Sequence, residues 1–327
     1  MRGLGVLAAT LATTALALAC DPITRDDLVC GSGACRDAGS SSPDASAPGA
    51  DAAQPGLDAT PVVDAATPPD ASAAEDASCA RLYSLGYPSG TRLDSPCLRD
   101  IPRFQAGPCS GVADCHLDSR AFYESPDGGL IESVTASGKL WEFDGRSGAV
   151  LKDGVDLSSL SHLSAAGTGA CAGKPALGCA LDTRTYRPES GGGWTEAITN
   201  NGQMFNYDAF SHAPLSTPAV NGSPLTGQPR YSLTASAPCY GKSISECRFQ
   251  TQAYSRAGGT TWEWITFDGN VFVLDGATGT AQAGNNTKLS QVPRFQTTVC
   301  AGVADCRLRT HAFVAAPDGG IVESFSD

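Results

Sequence analysis

Residues 102–133 and 293–324 align without a gap and are identical at 19 of 32 positions. Both read P-R-F-Q-x-x-x-C-x-G-V-A-D-C-x-L-x-x-x-A-F-x-x-x-P-D-G-G-x-x-E-S. A chain that repeats itself in this way stacks copies of one supersecondary unit, because a single copy cannot bury its own apolar face. Two more divergent copies lie between them. The second cysteine of each copy's pair recurs at Cys115, Cys179, Cys247 and Cys306, at spacings of 64, 68 and 59 residues.

Each copy reads as short strands. Strand a is the alternating run that follows the cysteine, as in Leu117–Phe122, Leu181–Tyr186, Phe249–Tyr254 and Leu308–Phe313. A Gly-rich turn such as Pro126-Asp127-Gly128-Gly129 leads into strand b, which contains Glu132, Glu196, Glu263 or Glu323. Strand c is Leu140–Asp144, Met204–Asp208 or Val271–Asp275, and a tight turn leads to a weaker strand d. The composition agrees, with 37 glycines, 21 prolines and only 17% charged residues.

The fourth copy stops at Asp327, just after strand b, but Arg81–Leu93 matches the c–d hairpin of the other copies (compare Lys139–Leu151). The missing strands therefore stand at the start of the domain. Pairing the two chain ends within one blade is how a propeller protects its edges. The expected fold is all-β: a four-bladed β-propeller of ~60-residue repeats. Its ring is closed by N-terminal strands c–d completing the C-terminal blade. A β-sandwich of two duplicated halves is the competing arrangement. Strand c and its turn, Gly138-Lys139-Leu140-Trp141-Glu142-Phe143-Asp144-Gly145-Arg146-Ser147-Gly148 and again Gly269 to Gly279, resemble the repeat of quinoprotein-type propellers. The tryptophan that follows the last glycine in that family is absent here. The resemblance implies a propeller and nothing about a quinone.

The repeated glutamates look catalytic until partners are sought for them. With the a–b turn centred on Pro126, Arg120 falls opposite Glu132, and the same construction places Arg184 against Glu196, Gln252 against Glu263 and His311 against Glu323. A buried carboxylate needs such a partner, and one pair per copy reads as structural. His116, His162, His212 and His311 occupy different repeat positions without metal-ligand spacing, and no cysteine pair has the C-x-x-C spacing of a zinc site. The expected metal and cofactor set is therefore none. No nucleophile elbow, phosphate loop or calcium loop is present. These absences argue against an enzyme.

Cysteine usage and the N-terminus speak to the compartment. Met1-Arg2 and the uncharged stretch Leu4–Ala19 read as a signal peptide over 1–19. The sequence ending Ala17-Leu18-Ala19-Cys20 resembles the lipobox of bacterial lipoproteins, with Ala17 where Leu is usual, and this implies lipidation of Cys20. An ordinary A-x-A cleavage giving a soluble secreted protein is the alternative. Reserving Cys20 leaves 12 of 13 cysteines in near-neighbour pairs: Cys30/Cys35, Cys79/Cys97, Cys109/Cys115, Cys171/Cys179, Cys239/Cys247 and Cys300/Cys306. Such pairing suits an oxidising compartment.

Residues 20–35 form the lipidated N-terminus with a short Cys loop. Residues 36–78 are almost entirely Ala, Asp, Pro, Ser, Gly and Thr, a disordered tether without an aromatic residue. The four-repeat domain occupies 79–327. Residues 21–78 hold 11 acidic and 2 basic side chains, so nine of the net twelve negative charges belong to the spacer. The folded part has no basic run, which excludes a nucleic-acid footprint.

These features describe a monomeric lipoprotein, periplasmic or at the cell surface, contacting the membrane through Cys20. Its folded part reads as a binding module for an envelope glycan or protein. An enzyme with a site of non-repeated residues on one face, or a purely structural role, are the alternatives. The face expected to carry the cysteine loops also carries Arg103-Phe104, Arg230-Tyr231 and Arg294-Phe295, just before each pair. Facing outward these would form a recognition patch on the disulfide face; packed inward they would not. The address makes one prediction: Cys20→Ser abolishes labelled-palmitate incorporation and moves the protein from the membrane to the soluble fraction. Unchanged membrane association would refute lipidation.

Overall fold

The computed structural model describes residues 79–327 except 176, 177, 217, 218, 258, 283, 284 and 317. The signal peptide, Cys20, Cys30, Cys35 and the tether lie outside the described residues. Among those described, sixteen strands form four antiparallel four-stranded sheets in a ring, a four-bladed β-propeller.

Blade 1 comprises β3 (Ser119–Glu124), β4 (Leu130–Ala136), β5 (Lys139–Asp144) and β6 (Val150–Asp156). Blade 2 comprises β7 (Thr183–Pro188), β8 (Trp194–Asn200), β9 (Gln203–Asp208) and β10 (Ser223–Pro224). Blade 3 is β11 (Thr251–Ala257), β12 (Thr260–Phe267), β13 (Asn270–Asp275) and β14 (Thr287–Lys288). Blade 4 is ordered β15 (Thr310–Ala315), β16 (Ile321–Ser326), β1 (Leu82–Tyr87), β2 (Thr91–Asp94). The chain ends therefore meet inside one sheet, in a register running from Leu82 against Ser326 to Tyr87 against Ile321. The Arg81 amide also donates to Asp327 Oδ1 at 2.9 Å.

Local chemistry explains the turns. The b–c connections are Ser137-Gly138, Asn201-Gly202 and Asp268-Gly269, with both residues at positive φ. Such two-residue turns match the twist of the flanking strands. In the c–d turns Asp144 Oδ1 accepts from the Ser147 amide (2.6 Å) and hydroxyl (2.7 Å), and Asp275 accepts likewise from Thr278. The D-x-x-[S/T]-G pattern is thus a carboxylate-capped turn closed by a left-handed residue.

Strands b and c are buried along most of their length because a neighbouring sheet covers each face. The residues after strand d, expected as loops, include one-turn helices: α1 (Pro102–Ala106), α2 (Ser161–Ser164), α3 (Pro229–Ser232) and α4 (Pro293–Gln296). In α1, α3 and α4 a proline opens the helix, where its fixed φ is already suitable. Phe104, Leu163, Tyr231 and Phe295 on these helices have no exposed surface. Each plugs a core between adjacent blades; one such core joins Leu82 and Leu98 of blade 4 to Phe104, Val134 and Phe143.

The described cysteines form five disulfides, Cys79–Cys97, Cys109–Cys115, Cys171–Cys179, Cys239–Cys247 and Cys300–Cys306, with Cα–Cα distances of 5.1–5.7 Å. The sulfurs of the four repeated pairs are buried in the inter-blade cores, and only the loops between them reach solvent. Cys79–Cys97 closes the N-terminal hairpin where the ring is sealed. Replacing both of these cysteines with serine should cost about 3 kcal/mol, read as a lower denaturant midpoint at unchanged slope. An unaltered midpoint would mean that β1 and β2 need no covalent restraint.

Candidate functional site

Each seam between blades holds one fully buried glutamate of strand b, reached from two sides. Glu132 meets Arg120 Nε from strand a at 2.5 Å and Arg103 from α1 at 2.5 and 3.2 Å. Glu196 meets Arg184 Nε at 2.6 Å and His162 Nε2 of α2 at 3.2 Å. Glu323 lies 2.8 Å from His311 Nε2 and 2.6 Å from Arg294 Nε. Glu263 accepts from Gln252 (2.6 Å), Arg230 (2.6 Å), Tyr231 Oη (2.8 Å) and Tyr254 Oη (3.0 Å). Here two phenolic hydroxyls make up for the uncharged glutamine.

The strand register differs from the directly opposed pairing expected from sequence. Arg120 stands across from Val134, and Glu132 across from Phe122, because the turn centres on Asp127 and not Pro126. The same offset sets Arg184 against Ile198, Gln252 against Ile265 and His311 against Phe325. The partners are diagonal neighbours on one face, a separation that long side chains span. The offset frees the Arg120 and Arg184 guanidinium ends to donate to Ser324 and Ser133, each the residue after the glutamate in the preceding blade.

Of the two orientations open to the Arg/aromatic pairs, the structure has the inward one, so they form no patch on the disulfide face. Phe104, Tyr231 and Phe295 are core residues, and Arg103, Arg230 and Arg294 lie over those rings at 4.6, 5.5 and 4.6 Å. From there they turn to the glutamates, since a buried carboxylate left without a partner costs about 3–5 kcal/mol. Burial alone would raise the carboxyl pKa values. The Arg120 and Arg103 charges and hydrogen bonds hold Glu132 below the ordinary range. Arg184 with both nearby histidines does the same for Glu196, and His311 with Arg294 for Glu323.

The inner strands β3, β7, β11 and β15 stand around the axis. At the end nearest the Cys loops, their first residues leave a space of only ~10 Å³, about one water. There Ser119, Thr183, Thr251 and Thr310 each share a hydrogen bond of 2.7–2.9 Å with a hydroxyl at the end of strand b. The opposite end opens into a cavity of about 250 Å³ lined by all four blades. Phe122, Tyr123, Trp194, Tyr254 and Phe313 form its walls, with Leu130, Pro188 and Ile321, while the lining also includes Glu124, Ser255 and Arg256. Trp141 and Trp264 are core residues, whereas Trp194 is half-buried at this mouth. The Cys loops, at the other end, expose Val112, Tyr240, Ile244 and Val303.

The histidines' scattered positions argued against a metal set, yet the fold brings two of them onto Glu196. His162 Nε2 and His212 Nδ1 lie 3.2 and 3.8 Å from Glu196 Oε2, and all three ligand atoms fall within 4.8 Å of one another. The signal was present in the repeats. His162 occupies the position of Arg103, Arg230 and Arg294, and His212 that of Gly148 and Gly279.

No protein-family model matches the chain, and no curated protein matches it. Solved structures do. A hemopexin-fold protein, CP4 from cow pea, is 12% identical, with 64% of this chain and 81% of that one covered at a TM-score of 0.45. A plant lectin with two metal binding sites from Cicer arietinum is 11% identical over 60% and 77%, at 0.42. Myxococcus xanthus glutaminyl cyclase is 14% identical over 66% and 75%, at 0.32. At these identities the likeness is one of fold alone.

The depressed glutamates predict an acid-sensitive domain. Their contribution is fully present above the unfolded carboxyl pKa of about 4.3 and is lost as pH falls through the lower folded values. The urea midpoint should therefore drop steeply below about pH 4. Glu132→Gln should cost about 3–5 kcal/mol at neutral pH and flatten that acid limb. A midpoint independent of pH down to acid would show that these pairs add nothing to stability.

Proposed function

We propose that this protein is an exported bacterial lipoprotein that presents its propeller as a glycan-binding module at the axial mouth. Cys20 carries the lipid, and the acidic 36–78 stretch holds the domain away from the bilayer. Forty-odd residues of this composition span on the order of 100 Å if mostly polyproline II.

The observation that carries the reading is the aromatic cavity formed where the ends of the four inner strands converge. Its size lies just under the usual small-ligand range of about 300–1,000 Å³, so it suits one or two sugar units better than a flat protein epitope. Aromatic faces stack on the apolar faces of a sugar ring, and Glu124 and Arg256 offer an acceptor and a fork of donors for its hydroxyls. The propeller beneath, braced by buried ion pairs in its seams, preorganises those groups and limits the ordering cost of binding.

The test is a screen of the mature, disulfide-intact protein against envelope glycans, with variants at both ends of the axis. Trp194→Ala and Arg256→Ala, with melting temperatures checked, should weaken binding about tenfold or more. Val303→Ser on a Cys loop should not change it. Binding lost only in the Cys-loop variant would move the site to the disulfide face. No glycan bound by the folded protein would overturn the reading.

A further inference from the structure

Three blades share a contact that blade 2 replaces. In blades 1, 3 and 4 the one-turn helix carries an arginine, and the c–d turn carries Gly148, Gly279 or Gly90 at φ 71–74°. A Cβ built on those glycines would come within 3.5, 2.6 and 3.3 Å of Arg103, Arg230 and Arg294 respectively. In blades 3 and 4 the arginine arm thus crowds the space that a turn side chain would need, while in blade 1 the two would just touch. Blade 2 changes both positions together, to His162 and His212. His212 keeps the left-handed backbone (φ 57°), a conformation few non-glycine residues adopt. Its amide bonds to Asp208 O at 2.9 Å as in the sister turns, so the turn itself does not require a histidine.

The two rings stack with centroids 4.2 Å apart and planes 4° from parallel. Both present a nitrogen to Glu196 Oε2. The 3.2 Å approach of His162 lacks hydrogen-bond alignment. Nε2 and Oε2 are both buried without a hydrogen-bond partner, on residues only 9% and 0% exposed. With the ring neutral, each of these two atoms keeps a lone pair free for a third group. Ligand atoms about 2.0–2.1 Å from a tetrahedral zinc stand about 3.3–3.4 Å apart. The carboxylate–His162 spacing is already close to this. His212, whose side chain is 43% exposed, has room to rotate out of the stack, as it must to turn its Nδ1 lone pair onto the same ion.

We propose that His162, Glu196 and His212 bind one divalent transition-metal ion of the zinc class, with a fourth position open on the His212 side. Two imidazoles and one carboxylate oxygen suit such an ion and are a poor set for calcium, which takes six to eight oxygens. Arg184 Nε holds Glu196 Oε1 at 2.6 Å. That bond orients the carboxylate and leaves Oε2 for the metal, the usual outer support of a ligating group. The sister blades cannot do this, because a guanidinium is not a ligand.

The test uses mature, disulfide-intact protein stripped with EDTA. Zinc is titrated against a chromogenic chelator, and cobalt is followed by its visible absorption. The expected result is one ion per chain, a cobalt spectrum of four or five coordination and a raised melting temperature. His212→Gly, which removes a ligand outright, should weaken binding by about 100-fold or more, the upper end of the cost of losing an outer-shell partner. The double variant His162→Arg/His212→Gly gives blade 2 the residues of its sisters; it should fold, melt cooperatively and bind no metal. Absence of binding tighter than about micromolar, or variants that bind like the wild type, would overturn the proposal.

Discussion

The structure depends on how four carboxylates are carried between the blades. Glu132, Glu196, Glu263 and Glu323 each lie in a seam with at most 1% of their surface exposed, where an unpaired charge would cost several kcal/mol. Each is therefore served from two directions, by a strand-a side chain and by a side chain of the preceding one-turn helix. This double service dictates the rest of the repeat. The helix must sit directly over the seam, so its aromatic or leucine plug is fully buried. The disulfide loop that follows must return the chain to the axis, so its cysteines lie inside the same core.

The seams vary within that rule, and the variation is coupled. Where strand a carries arginine, the preceding blade offers a serine to its far end, as Arg120 with Ser324 and Arg184 with Ser133. Where the preceding blade has Ala197 or Trp264 instead, strand a carries the shorter Gln252 or His311. Gln252 lacks a charge, and Tyr231 and Tyr254 supply hydroxyls to the same carboxylate oxygen. Blade 2 departs furthest, exchanging a guanidinium and a glycine for two stacked imidazoles. A repeated structural pair thereby becomes a local arrangement with different chemistry, without disturbing the sheets.

The two ends of the axis also differ for a physical reason. At the Cys-loop end, small hydroxyl residues let the inner strands close tightly, leaving room for about one water. At the other end, large aromatic residues hold the strand ends apart and create a concavity. The disulfides brace the closed end and leave the open end to be shaped by side chains alone.

Much of the architecture was legible in the sequence. Self-similarity set the number of blades, the split fourth copy showed where the ring closes, and near-neighbour cysteines announced their own pairs. These features are local in the chain or repeat along it, so each can be read within one segment or between aligned ones. The tertiary structure decided the rest. Arg103, Arg230 and Arg294 turn inward because a carboxylate from another segment lies beneath them. The one-residue shift of the turn centre, from Pro126 to Asp127, moved every strand-a partner to a diagonal position. The aromatic mouth draws on strand ends some sixty residues apart, and His162 meets His212 only because a helix and a turn pack on one strand. Side-chain direction at such junctions is set by the neighbouring blade's charge and volume, which no single segment of sequence contains.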